Sequence, residues 1–333
     1  MRKKTRITVY IGFFCLLLLM VDPTTALSGA TNGIRQVLQV IIPSLFPYFF
    51  ISTYLNTNLL GMHIPGIRFI ANKLHIPKGG DSLLLLGIIG GYPVGAQAIA
   101  STYKDGAISK NCAQILLGYC NNAGPAFIFG VTASLFPESY MAWLLWLIQI
   151  LSTLITAHFL PRPNDQHIIW RNIRNITIIH TLQRSIRSMV SVCGWIILFK
   201  ILIAYITKPL LSLDNNVLTL LSGLLELSNG CLSLSEISRH SVRFILCSIF
   251  LSFGGLCVLM QTKSTTESMG LGLYLPGKLI QTSISFLLSV VLSAVLFQDE
   301  VLNSYWLILG IIVSLLIILY IKIIVKNNCG KIS

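Results

Sequence analysis

Residues 82–102 read SLLLLGIIGGYPVGAQAIAST. The run is apolar enough to enter a membrane, but Gly87, Gly90, Gly91, Pro93 and Gly95 interrupt it. A spanning helix needs about 20 mostly apolar residues in one unbroken helix. Pro93 removes a backbone donor and breaks a helix, and the glycines permit turns and close approach. Ser82–Thr102 is therefore predicted to enter and leave on one face, as a re-entrant hairpin. Val217–Leu234 has the same character, broken by Gly223, Glu226, Asn229 and Gly230. Irregular backbone at membrane depth survives only where protein or a water-filled cavity covers it. Function is sought at these two hairpins.

The rest of the chain agrees with a membrane location. Of 333 residues, 54% are hydrophobic and 11% charged, less than half the roughly 25% charged residues of soluble domains. One soluble core could not hide so much apolar surface. The composition excludes an ordinary soluble enzyme, a disordered chain and a secreted disulfide scaffold. The net charge of +13, from 24 Lys and Arg against 11 Asp and Glu, reads as basic cytoplasmic loops touching anionic lipid. No aromatic-and-basic stripe suits single-stranded nucleic acid, so no nucleic-acid partner is expected. The eight cysteines form no C-x-x-C and the six histidines no i, i+4 pair. Neither a metal nor another cofactor is expected.

Clear candidate spans are Ile7–Leu27, Val37–Leu55, Cys112–Phe136, Tyr140–Leu160, Met189–Thr207, Val242–Gln261, Leu279–Phe297 and Tyr305–Val325. The predicted fold class is thus an all-α polytopic membrane protein, with about eight transmembrane helices and two re-entrant hairpins. The basic start and the Thr24-Thr25-Ala26 end of the first stretch also fit a signal-like anchor. Arg2, Lys3, Lys4 and Arg6, the basic run from Arg162 to Arg187, and Lys322, Lys326 and Lys331 place both termini and the central loop in the cytoplasm. Gly61–Lys78 and Ile168–Arg187 read as interfacial amphipathic helices.

The chain also repeats itself. Gly33–Val40 (GIRQVLQV) resembles Ser185–Val192 (SIRSMVSV). Each precedes a glycine-broken hairpin and then a span with glycines in its middle. One span separates the copies, so the second is upside down. An inverted repeat with paired broken segments is the pattern of many secondary transporters, whose solute site lies near the midplane. The expected organisation is residues 1–32 as an N-terminal span, 33–136 as the first unit, 137–184 as a connecting helix and basic loop, 185–261 as the inverted second unit, and 262–333 as two C-terminal helices and a basic tail.

Candidate solute- or ion-binding residues follow from the breaks. In the first hairpin they are Gly91, Tyr92, Pro93, Gly95 and Gln97, whose freed peptide groups could face a ligand or merely allow tight packing. In Cys120–Pro125 (CNNAGP) they are Asn121, Asn122 and Gly124. Adjacent amides in mid-span need partners, and Pro125 frees a carbonyl near Asn121. These amides could bind solute or hold the neighbouring hairpin. In the second unit they are Glu226, Asn229 and Gly255. Glu226 is the one acid deep in an apolar segment, and an intramembrane acid is a functional candidate by default. It could carry a coupling H⁺ or Na⁺, or pair with Lys200, read as the one base in mid-span. Nucleophile–base pairs, catalytic carboxylate pairs and phosphate loops are missing, so no enzymatic activity is expected.

Five motifs together, GGYPVGA at 90–96, DGAIS at 105–109, CNNAGP at 120–125, GLLELSNG at 223–230 and FGGL at 253–256, resemble the YlbJ-type sporulation integral membrane proteins of the nucleoside-recognition, or Gate-domain, group. The resemblance covers about Gly33 to Gln261. It implies a membrane protein of an endospore-forming bacterium, needed for the spore cortex, and broken-helix hairpins that form a solute site. The expected partners are the lipid bilayer, a small polar solute and, in a homo-oligomer, further copies of the chain. The alternatives are a non-transporting scaffold for cortex assembly and a nucleoside transporter outside sporulation.

Overall fold

The computed structural model describes residues 2–59, 61–168, 177–210, 212, 214–297 and 304–329. The part of the predicted amphipathic helix containing Trp170, Ile173 and Ile176 lies outside these residues. Sixteen α-helices follow one another among the described residues. They are α1 (Arg2–Val21), α2 (Pro23–Gln36), α3 (Ile42–Leu59), α4 (Pro65–Lys73), α5 (Asp81–Ile89), α6 (Val94–Lys104), α7 (Lys110–Leu117), α8 (Pro125–Phe127), α9 (Tyr140–Phe159), α10 (Ile178–Thr207), α11 (Asn215–Leu225), α12 (Leu227–Ser233), α13 (His240–Phe253), α14 (Gly255–Thr265), α15 (Tyr274–Leu296) and α16 (Ser304–Cys329).

Six stretches among them are long and apolar enough to cross a membrane: Pro23–Leu55, Tyr140–Phe159, Ile178–Leu210, His240–Thr265, Tyr274–Leu296 and Leu307–Ile324. The sequence suggested eight. One difference is the first stretch, Ile7–Leu27, which is divided at Asp22. The Asp22 side chain accepts the Thr25 amide and caps α2, and Pro23 opens that helix. The other is Cys112–Phe136, which is unwound in its middle between α7 and α8. Large apolar side chains stand exposed along α1, α10, α15 and α16, among them Phe13, Phe14, Val190, Val291 and Leu319. Apolar surface on that scale is met by lipid.

α2 and α3 run into one another through a π-helical turn, Val37–Ile41, just before Pro43. A proline in a helix clashes with the carbonyl four residues back, and a widened turn relieves it. This long helix packs antiparallel on α10. Gly29 lies against Ile201 and Ala204, Gly33 against Ile197 and Lys200, and the Ser185 hydroxyl reaches Phe49 O at 3.4 Å. The helices that carry the two copies of the sequence repeat therefore pack on each other, and each copy lies inside its longer helix. At the end of the pair where α2 begins, Lys208 pairs with Asp22, and this contact, with the Thr25 and Thr24 hydroxyls, holds the Asp22 carboxyl below the usual carboxylate range.

α13 and α15 meet along serines, with Ser248 Oγ and Ser285 Oγ 2.8 Å apart. Small residues let helices approach closely where lipid offers no hydrophobic drive.

At the base of the first hairpin, Asp81 is 1% exposed and meets Arg68 of α4 at 2.9 Å. Asp81 also accepts the Ile64 amide at 3.3 Å, and Arg68 reaches Pro77 O at 3.3 Å. The amphipathic α4 thus clamps the hairpin. Arg68→Met should cost about 1.5–3 kcal/mol, the worth of a hydrogen bond to a charged group. Thermal unfolding of the purified protein would read it, and an unchanged Tm would refute the clamp.

Candidate functional site

Each hairpin tip is pressed against an unwound stretch of the span that follows it. In the first hairpin α5 and α6 are antiparallel, joined by Gly90–Pro93, with a cis Tyr92–Pro93 bond. Gly87 and Gly95 sit on either side of the turn and both abut Cys120. A Cβ on Gly95 would lie 2.1 Å from Cys120 O, and one on Gly87 2.6 Å from Cys120 Cα. Gly91 has φ +74° and faces Gly124, whose own Cβ would lie 2.7 Å from Gly91 Cα. Backbone meets backbone here, which is why the run is so rich in glycine.

The two asparagines of the unwound stretch lock this contact. Asn121 accepts the Ala96 amide at 3.2 Å and donates to Thr262 Oγ1 of α14 at 3.1 Å. Asn122 donates to Gly87 O at 3.0 Å and to Tyr119 O at 2.8 Å. Of the two roles open to them, both asparagines hold the hairpin.

The second hairpin repeats the scheme. α11 and α12 reverse at Glu226, and a Cβ on Gly230 would lie 2.1 Å from Gly223 Cα. The following span breaks at Gly254 and Gly255, with φ +79° and +76°. Gly255 packs on Gly223 O and on Leu225. Glu226 is 3% exposed and acts as the N-cap of α12. Its carboxylate accepts the amides of Ser228 at 2.9 Å and Asn229 at 2.6 Å, and the Ser228 hydroxyl. Ser228 Oγ in turn accepts from Gln36 Nε2 at 2.8 Å. Lys200 donates to the Asn229 side-chain oxygen. In place of the alternative Lys200–Glu226 ion pair there is this amide contact, next to the capped turn.

Between the hairpins lies a cleft with about 490 Å³ of empty space, its mouth included. Gly91, Tyr92, Gly124 and Glu226 line it, with Gly90, Ala123, Ser228 and Gln261. Ile41, Leu45, Phe49, Val192 and Ile196 form the apolar wall, from α3, α10 and the π-helical turn. Pro93, Gly95, Asn121, Asn122, Asn229 and Gly255 are not among the residues that line the cleft. Gln97 points elsewhere and pairs with Ser188 of α10 at 2.9 Å. The Tyr92 hydroxyl reaches toward Leu251 O and Ser252 O, both at 3.4 Å, so the first tip touches the second break.

Lys200 is not the one buried base. Lys278 on α15 is 1% exposed. Its Nζ donates to Asn122 Oδ1 at 2.9 Å and Gln281 Oε1 at 2.7 Å. Gln281 Nε2 continues to Thr153 Oγ1 at 3.0 Å and Gln149 Oε1 at 3.4 Å. Gln149 Nε2 donates to Ser252 Oγ at 2.9 Å. A buried chain of amides thus joins the first break to the second. The signal was present in the sequence: Lys278, Gln281, Ser285, Ser289 and Ser293 fall on one helical face. Among the described residues no three His, Cys, Asp or Glu side chains group as a metal site would need.

No protein-family model matches this sequence. No solved structure matches it. Among curated proteins it is similar to the sporulation integral membrane protein YlbJ of Bacillus subtilis (strain 168), with 25% identity over 309 residues, covering 76% of this chain and 74% of that protein. That likeness spans most of both chains and agrees with the resemblance to YlbJ-type sporulation integral membrane proteins that the five motifs carry.

Proposed function

We propose that this chain is a secondary-transporter-like protein of a sporulation membrane, which binds and moves a small polar solute and contributes to spore cortex formation. The observation that carries this reading is the cleft lined by both hairpin tips and by the unwound stretch at Ala123–Gly124. A protein that only had to stand in the bilayer would have no use for unwound backbone in its interior. In this reading residues 33–136 and 185–261 are inverted Gate-like units, and the hairpins are re-entrant from opposite faces. The antiparallel contact of α2 and α3 with α10 is what a two-fold axis in the membrane plane would produce. Alternating access follows if each hairpin closes the cleft in turn. Glu226 is then the residue for a coupling Na⁺ or H⁺, both termini lie in the cytoplasm, and the chain performs no enzymatic step.

A second reading, a scaffold for cortex assembly, is favoured by one feature. The Glu226 carboxylate is already engaged by its own helix. Complementation separates the two in a sporulating host lacking its own family member. Wild type, Glu226→Gln and Glu226→Asp would be compared at equal membrane levels for heat-resistant spores with cortex. Aspartate is a favoured N-cap and preserves the turn, while its shorter chain withdraws the carboxylate from the cleft. For a transporter, wild type rescues and both variants fail. Equal rescue by Glu226→Gln and wild type removes Glu226 from any coupling role and puts the scaffold, or transport not coupled through Glu226, first.

A further inference from the structure

We propose that Lys278 is a proton-responsive latch that fixes the first unwound stretch to the unbroken helix α15. The latch rests on contacts alone; its consequence, a proton as coupling ion, rests on the transporter reading.

α15 belongs to neither hairpin. The Lys278 ammonium nevertheless holds Asn122 of the break by a 2.9 Å hydrogen bond. It also sits over the ring of Tyr92 at the hairpin tip, 5.1 Å from the centroid, and over Tyr274 at 5.8 Å. One charge therefore ties three pieces together: scaffold, break and tip. The titratable groups facing it are Tyr92 from the tip, Cys120 from the break and Tyr274 from its own helix. Through Gln281, α9 offers only the neutral Gln149 and Thr153. The ion pairs among the described residues are Arg68–Asp81 and Lys208–Asp22, so no carboxylate balances Lys278. Lys200 differs, because Glu226 caps the turn that holds its partner Asn229.

The two protonation states hold the break unequally. The ammonium makes charge-assisted hydrogen bonds, roughly twice as strong as neutral ones, and a cation–π contact. The neutral amine keeps two N–H groups but loses the charge and the ring contact. The latch is closed at low pH and loosens as pH rises. Asn122 also holds Gly87 O, so loosening frees the hairpin. The Gln281–Gln149–Ser252 chain carries the change toward the second break.

Hydrogen exchange by mass spectrometry tests the latch on the full chain in lipid nanodiscs without solute. Exchange of residues 90–94 and 118–127 would be followed from about pH 5 to about pH 11, a range that starts above ordinary carboxylate values and ends past ordinary lysine values, with rates divided by the intrinsic rate at each pH. Wild type should lose protection about tenfold in one step as pH rises. Lys278→Arg should stay protected without a step, and Lys278→Met should exchange fast without one. No step in wild type overturns the proposal, as does a step that survives in Lys278→Met. If the arginine variant is not monodisperse, wild type against Lys278→Met decides alone. A pH step in a protein that fails to move any solute would leave the latch and remove the transporter; solute flux without the step would do the reverse.

Discussion

Gly95→Ala is expected to unseat the first hairpin and destabilise the protein by about 3 kcal/mol or more, the upper end of what overpacking costs. The added methyl would stand 2.1 Å from Cys120 O and 3.1 Å from Asn121 Cα. Both are backbone atoms that cannot rotate away as a side chain would. To make room, α6 must move off the unwound stretch. That movement pulls the Ala96 amide from Asn121 Oδ1, now 3.2 Å away, and leaves two buried polar groups unpaired. Gly230→Ala should fail in the same way, with 2.1 Å to Gly223 Cα. Gly194→Ala in α10 is the control. Nothing lies within 4 Å of its added methyl, and alanine favours a helix by roughly 0.5–1 kcal/mol over glycine. Thermal unfolding in one detergent would rank the variants. A Gly95→Ala protein as stable as the Gly194→Ala control would mean that the hairpin is not seated as described.

The sequence made the breaks between α5 and α6 and between α11 and α12 legible because their cause is local. Glycines and a proline in an apolar run leave few alternatives, and the tip at Gly90–Pro93 lies where they fall. Long uniform helices were equally legible: Tyr140–Leu160 was expected and α9 is Tyr140–Phe159. Errors arose where a charge is rescued by distant partners. Hydropathy pushed the start of the seventh span past Lys278 to Leu279, yet α15 begins at Tyr274. Lys278 is tolerated inside because Asn122, 156 positions away, supplies an oxygen. Gln97 failed for a related reason, since its partner Ser188 is 91 positions away. Glu226 was found by its charge but not by its contacts. Glutamate is not among the favoured N-caps, so its hold on the α12 amides had no sequence signal. The break after Asp22 did have one, an acid followed by proline, hidden by apolar residues on both sides.

Removing Asn122 is expected to reveal how the buried polar chain shares its energy. Asn122→Ala strips the donor from Gly87 O and Tyr119 O and the acceptor from Lys278. The buried ammonium then keeps Gln281 as its remaining hydrogen-bond partner. Taking one partner from a buried charged group costs more than the about 1–3 kcal/mol of a neutral one. Lys278→Met removes the charge itself and leaves only the Asn122 and Gln281 oxygens short of a donor, at about 1–3 kcal/mol each. In the double variant the ammonium is gone, so the heaviest cost of Asn122→Ala no longer applies. The two changes should therefore be less than additive, by about 1–3 kcal/mol, as for residues within one network. The cycle is read from unfolding free energies of the four proteins in one detergent. Additivity within about 0.5 kcal/mol would mean that Lys278 and Asn122 are neighbours without being partners. A strong coupling would instead fix the energy that any movement of the first hairpin must overcome, because Asn122 also holds Gly87 O. A solute that opens the cleft must supply at least that much in differential binding between the closed and open forms.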